Sequence, residues 1–379
     1  MCSSDLMAVI ATVCGFAVRW VRRLCFVAAA ILVADAAAFG QGSIPRPEEF
    51  TPAFAEDPAY DVTNVQYTGV NVAEPLWTAY ALTDALFWGR DNQAGNVPLV
   101  VTQNPAATPL LNAQDLRFPF SEGVRAFYGQ RQPCECGWEL GYWGVYGQSA
   151  TGVVAAPPGQ FIQFPGAIGE QLTADPERAT VKYQSTINSA EANIFSTEHH
   201  WHRDAGAWHT TDWLVGFRYV GVEERAAIEM DCCIVDNEFR TVPYGVGTRN
   251  NMFGAQVGRR ARWDWNRWSI ENWAKAGILG NAQEQYQNAL IDYEGFQWRP
   301  ARSTFGSSVG FIGDVNLSAI YRLTEVWGIR AGYNLIWIDG LALAPNQFDF
   351  TNTATSGTLL ASGGGIFMHG ANLGLEARW

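Results

Sequence analysis

The chain has little positive charge: 25 Lys and Arg stand against 37 Asp and Glu, a net of -12 over 379 residues. Nucleic-acid grooves and polybasic membrane patches need clustered cations, so both kinds of partner are excluded. Histidine is scarce, at five, and the sequence holds no P-loop, dinucleotide-binding glycine fingerprint or helical His pair with a Glu. Beyond the first forty positions no stretch is long and uncharged enough for a transmembrane helix, which needs about 20 apolar residues. A membrane could therefore be crossed only by a closed barrel of strands.

Aromatics and glycine are abundant, with 16 Trp, 21 Phe, 13 Tyr and 38 Gly, a mixture that suits strands and tight turns. Near the start, Arg19, Arg22 and Arg23 precede the apolar run 24–34, and small residues follow up to Gln41, Gly42 and Pro45. This reads as a signal peptide over 1–40, cleaved near Gly40, with Ala38 and Gly40 at the small-residue positions. Its removal takes away three Arg and two Asp and leaves the chain acidic. Residues 41–75, rich in Pro, Asn, Asp and Glu without a steady period, read as an irregular periplasmic leader.

From position 76 to the end, segments of alternating polarity are separated by Gly, Asn, Asp and Pro, the pattern of an outer-membrane barrel. The last segment is the clearest. Ala371, Leu373, Leu375, Ala377 and Trp379 form one face, and Gly370, Asn372, Gly374, Glu376 and Arg378 the other. The same alternation runs through 212–219, 253–260 and 311–322. The reading is an all-β, single transmembrane antiparallel up-and-down barrel of ten strands, with twelve as the alternative. Short periplasmic turns are expected at 130–136, 204–208, 263–265 and 323–327, with one long strand from 266 to about 290. Long outer loops are expected at 89–116, 149–189, 223–246, 291–303 and 340–364.

This layout puts Trp138, Trp213, Trp263, Trp268, Trp327 and Trp379 at the periplasmic rim, along with Trp77, Trp201, Trp208 and Trp265. Indole at a membrane interface buries its ring and keeps its N–H wet, so these form an aromatic girdle. The inward face includes Arg218, Gln256, Arg260, Arg262, Glu271, Lys275, Asp314, Asn316, Arg322, Arg330, Asn334, Asn372, Glu376 and Arg378. Charges of both signs suit either the lining of a narrow channel or an ion-pair plug. A barrel near eight strands is just filled by side chains, whereas open pores have about 16 or more strands.

Other candidates are weaker. Gly306-Ser307-Ser308-Val309-Gly310 matches a hydrolase nucleophile elbow in letters, but the elbow needs a strand-to-helix turn and here a strand pattern continues. His200 and His202 share a strand face without a third ligand, so no metal, cofactor or catalytic residue is assigned. Cys134 and Cys136 fall in a periplasmic turn and Cys232 and Cys233 in an outer loop, which favours local pairing or free thiols over a bridge between the two.

Several segments also resemble the family of β-barrel porins of planctomycetes. They include Glu74-Pro75-Leu76-Trp77, Gly137-Trp138-Glu139-Leu140-Gly141-Tyr142-Trp143, Glu191-Ala192-Asn193 and Leu214-Val215-Gly216-Phe217-Arg218-Tyr219. The similarity continues through 248–258, Arg330-Ala331-Gly332-Tyr333-Asn334 and Gly370-Ala371-Asn372-Leu373-Gly374-Leu375-Glu376. Where the family pattern has a strand followed by an Arg-Pro-Gly turn, this chain has Trp337-Ile338-Asp339-Gly340. The resemblance implies an outer-membrane barrel and brings no catalytic residues. The functional expectation is a narrow porin-like channel for small solutes. The alternative is a closed barrel with a structural or recognition role, acting through acidic outer positions such as Asp231, Asp236, Glu238 and Asp349. A barrel-embedded hydrolase is third. The partners implied are the outer-membrane bilayer and the insertion machinery, which would read the C-terminal strand.

Overall fold

The computed structural model describes residues 78–379, apart from 104–106, 133–134, 203–206 and 236–237. The signal peptide and leader lie outside these residues. Within them no helix is long and apolar enough to cross a membrane, and the period-two segments form ten antiparallel strands closed into a barrel. They are β1 (Ala79–Asp91), β2 (Ser121–Arg131), β3 (Cys136–Ala155), β4 (Arg178–His202) and β5 (Ala207–Val235). The second half comprises β6 (Glu238–Trp265), β7 (Trp268–Gln287), β8 (Arg302–Arg322), β9 (Trp327–Leu341) and β10 (Gly364–Arg378). Each pairs with its chain neighbours, and β1 closes on β10.

Register gives the barrel its geometry. Pairing runs from Ala79 through Gln130, Trp138, Ile194, Val215, Val257, Ala276, Gly313, Trp337 and Phe367, and returns to β1 at Asp91. One circuit thus slips from position 79 to position 91. With ordinary strand spacings, that shear tilts ten strands by about 40° around a wall of roughly 10 Å radius. Such an interior has room for side chains and little else.

The wall is uneven in height. Strands β4, β5 and β6 are 25, 29 and 28 residues long, while β1 and β2 have 13 and 11. The expected outer loop at 223–246 is therefore wrong: those residues continue β5 and β6 into a hairpin that rises above the rest of the wall. The expected loop at 149–189 shrinks for the same reason, since β3 runs to Ala155 and β4 begins at Arg178. Their inward positions stay apolar (Ala179, Val181, Ile228, Met230, Val242), so the alternation persists where polar loop was expected. Pro243 is tolerated in β6 because β7 pairs only up to Val246, which leaves Pro243 on an edge without a donor to lose.

The other corrections are small. The turn expected at 263–265 sits at Asn266-Arg267, where Asn266 takes a left-handed φ of 42°. Trp263 and Trp265 remain in β6. The long strand expected from 266 to about 290 is β7, ending at Gln287. The departure at 337–340 is absorbed in β9, where Gly340 (φ 80°) makes a register shift that a Cβ would block against the Val309 and Gly310 backbone. The Gly306–Gly310 stretch is strand, with no elbow.

At the end opposite the short turns, segments 92–103, 107–120, 156–177 and 342–363 fold inward over the opening. They carry short strand pairs (Pro98–Thr102 with Pro109–Asn112 and Ile162–Gln163) and build an apolar core with the tall wall. Leu99, Leu116, Phe164 and Leu172 from these segments meet Tyr183, Ile228, Met230 and Tyr244 from the strands. This is a cap, packed like a small domain on the inner face of the wall.

Candidate functional site

The lumen is filled in layers. Nearest the short turns is a plug of ions to which every strand of the wall contributes. Glu139 on β3 is its hub: it accepts from Asn193 Nδ2 at 2.8 Å, Arg260 Nη1 at 2.7 Å and Lys275 Nζ at 3.3 Å, and from the Tyr80 hydroxyl. Arg260 also bonds Asp212 (2.8 Å), and Lys275 bonds Glu191. Arg218 spans to Asp314 at 3.1 Å, and Gln256 donates to Glu191 and Asn193.

A second set surrounds Arg330. Its guanidinium lies 3.4 Å from Asp84, 3.3 Å from Glu271 and 3.3 Å from Glu376. Arg262 reaches Asp264 and Glu376 at 3.0 and 2.7 Å, and Arg125 on β2 pairs with Asp84. Asn316 donates to Asn334 (3.0 Å), with Asn372 alongside. Trp273 stands among these cations, donating its indole N–H to Asp314 at 3.1 Å, with Arg125, Arg330 and Lys275 over its ring at 4.8, 5.6 and 5.5 Å.

Of the inward residues expected from sequence, twelve are buried in this plug: Arg218, Gln256, Arg260, Arg262, Glu271, Lys275, Asp314, Asn316, Arg330, Asn334, Asn372 and Glu376. Arg322 and Arg378 sit at its rim, with 34% and 16% of their side chains exposed, and bond Asp264 and Glu271. The sequence reading missed Trp273 and the carboxylates Asp84, Glu139 and Glu191. The signal was present: Trp273 lies two residues from both Glu271 and Lys275, so it shares their inward face.

Above the plug the lining turns apolar. Leu86, Trp88, Trp143, Val145, Val220, Met252, Leu279, Ile312, Ile336, Ile366 and Met368 form one cluster across the lumen. Trp88 and Trp143 meet edge to face at 5.3 Å. Three of the tryptophans, 88, 143 and 273, are therefore lumen filler and not girdle.

Higher still, carboxamides fasten the cap. Asn250 and Ala342 exchange two hydrogen bonds, Nδ2 to O at 3.0 Å and N to Oδ1 at 2.8 Å. Gln285 donates to the carbonyls of Gly357 and Leu359, and Gln287 donates to that of Gln347. Gln347 in turn donates to Leu343 and Ala361 and accepts from the Ala361 N–H. Arg90, Glu224 and Tyr183 form a separate buried group, and Glu224 accepts the Ala344 N–H at 2.9 Å.

Outside, the wall is apolar across its middle: Phe217, Phe253, Ile278, Phe311, Leu317, Leu373 and Leu375 are all exposed. That belt is what a bilayer requires of a transmembrane barrel. Trp268, Trp327 and Trp379 are exposed near the short turns, while Trp138, Trp213 and Trp263 are half-buried. Trp268 packs on Tyr321 at 4.9 Å and Trp263 stacks on His209 at 4.8 Å. The side chains of His200 and His202 lie outside the described residues, as do those of Cys134, Cys232 and Cys233. Cys136 is disulfide-bonded. Among the described residues no three His, Cys, Asp or Glu side chains are grouped to hold a metal ion.

No family model matches this chain, and no curated protein does. The solved structures it resembles are outer-membrane barrels. The outer-membrane protease OmpT of Escherichia coli superposes over 80% of this chain and 97% of its own, with a TM-score of 0.46 and 10% identity. The toluene transporter TodX of Pseudomonas putida covers 80% and 90%, at 0.24 and 10%. A porin covers 79% and 100%, at 0.15 and 8%. Likeness at this level says nothing of what this barrel does.

Proposed function

We propose that the chain is a closed outer-membrane barrel that acts through the surface its cap and tall hairpin present outside the cell, as a structural or recognition protein. In this reading the short turns and the tryptophans near them face the periplasm, and insertion proceeds through β10. The observation that carries it is the filling of the lumen by three successive layers: buried ion pairs, an apolar cluster and a fastened cap. A porin-like channel would need an aqueous path through all three. The affinity with planctomycete β-barrel porins belongs to this reading as a statement of kinship, without the transport its name suggests. No chemical step is assigned.

The test is single-channel recording of refolded protein in a planar bilayer, with folding confirmed by a heat-modifiable gel shift. Folded protein is expected to show no discrete conductance steps. Reproducible steps from folded material would overturn the closed-barrel reading and restore the narrow channel.

A further inference from the structure

Arg259 stands on the outward face of β6 and is exposed, between apolar outward neighbours toward the middle of the wall and the polar outward row Glu198, Thr211 and Asn272 toward the short turns. It pairs in register with Trp213 on β5 and Ala274 on β7, and Val257 is the next outward residue on its own strand. Its guanidinium lies 5.9 Å from the centre of the Trp213 ring, and no carboxylate is within ion-pair distance among the described residues. Two exposed cations at the cap end do have partners, Arg249 with Glu223 and Lys182 with Glu229. Arg259 pairs in register with Trp213, one of the rim tryptophans, so it stands where the apolar belt gives way to the interface. A cation facing hydrocarbon is costly unless it finds an anion.

Beside it is an apolar groove. Ala192 on β4 leaves a hollow between Leu140 on β3 and Phe217 on β5, with Trp138, Ile194 and Val215 also on its outward lining. Ser196, Trp213 and Arg259 form one paired row at the groove's periplasmic end.

We propose that this row and groove hold one phospholipid of the periplasmic leaflet, with its phosphate on Arg259 and one acyl chain along Ile194, Ala192 and Phe217. The inference rests on the bilayer placement proposed above. Charge complementarity selects the occupant: the groove is apolar, and the cation beside it, Arg259, has no carboxylate partner among the described residues, which suits the phosphodiester of a lipid whose chain lies in the groove.

The test uses the folded full chain in dodecyl maltoside, titrated with dioleoylphosphatidylglycerol and read by native mass spectrometry. One lipid is expected to bind, with affinity falling about tenfold in Arg259→Gln, the loss of one charge-assisted contact. Ala192→Trp, which fills the groove and leaves the cation, is expected to abolish it. Dioleoylglycerol, lacking the phosphate, is expected to bind like the Arg259→Gln variant. Unchanged binding in either variant overturns the proposal. So does equal binding of inorganic phosphate, which would make Arg259 a bare anion site, or a change from dimer to monomer in the variants, which would make the groove an interface between copies. Conductance does not bear on this site, so a barrel that conducts and still binds the lipid separates the two readings.

Discussion

Arg218 on β5 and Asp314 on β8 meet across the lumen at 3.1 Å, 96 positions apart in the chain and both buried. Taking one charge from such a pair strands the other away from water. Arg218→Met is expected to cost about 3–5 kcal/mol, because Asp314 keeps only the Trp273 N–H and more distant cations. Guanidinium-induced unfolding from lipid vesicles measures this as a lower midpoint.

Charge removal alone should not open the barrel. In a Lys275→Met, Glu191→Leu variant the apolar cluster of Leu86, Trp143, Met252 and Ile336 still blocks the path above the plug. Planar-bilayer recordings are expected to stay silent for this variant. Steady currents from it would mean that the ions are the gate.

Gln347 fastens one segment of the cap. Gln347→Ala removes three hydrogen bonds to the segment 342–363, each contributing about 1 kcal/mol. Hydrogen exchange within 342–363 should quicken by about two orders of magnitude, the amount those bonds imply. The unfolding midpoint of the barrel should stay unchanged.

Asp349, in the same segment, reports on pH. Partial burial pushes its carboxyl up, but hydrogen bonds from the Thr351 hydroxyl and N–H and the Gly357 N–H outweigh this and hold it below the usual carboxylate range. Its contribution is therefore fully present above about pH 4 and is lost as pH falls through the depressed value. Exchange of the Gly357 amide should be protected at pH 5 and lose protection only in stronger acid. Asp349→Asn should remove that pH dependence.

Strand number and inward faces were legible because a bilayer outside and a filled lumen inside impose strict alternation on each strand. Glu376, Asn372 and Gly370 could be sorted from Leu375, Leu373 and Ala371 by parity alone. Strand ends were less legible. Above the membrane the tall hairpin still alternates, since Val242 and Tyr244 cover cap residues while Thr241 and Pro243 face solvent. Polarity in that region marks solvent and not a loop, so the long outer loop expected at 223–246 was drawn where a sheet continues. The partners of the plug were not legible either, because pairs such as Arg260 with Tyr80, 180 positions away, follow from the shear of the barrel and not from spacing along the chain.

The plug also constrains the order of assembly. Asp84 on the first strand pairs with Arg125 on the second and lies 3.4 Å from Arg330 on the ninth, so its shell of cations is complete only when the two ends of the sheet have met. A partly built sheet entering lipid would carry unmatched carboxylates and guanidinium groups on the face destined for the interior. Closure and neutralisation must therefore happen together, and β10, which seals the seam against β1, is the strand whose arrival makes the structure permissible in a bilayer.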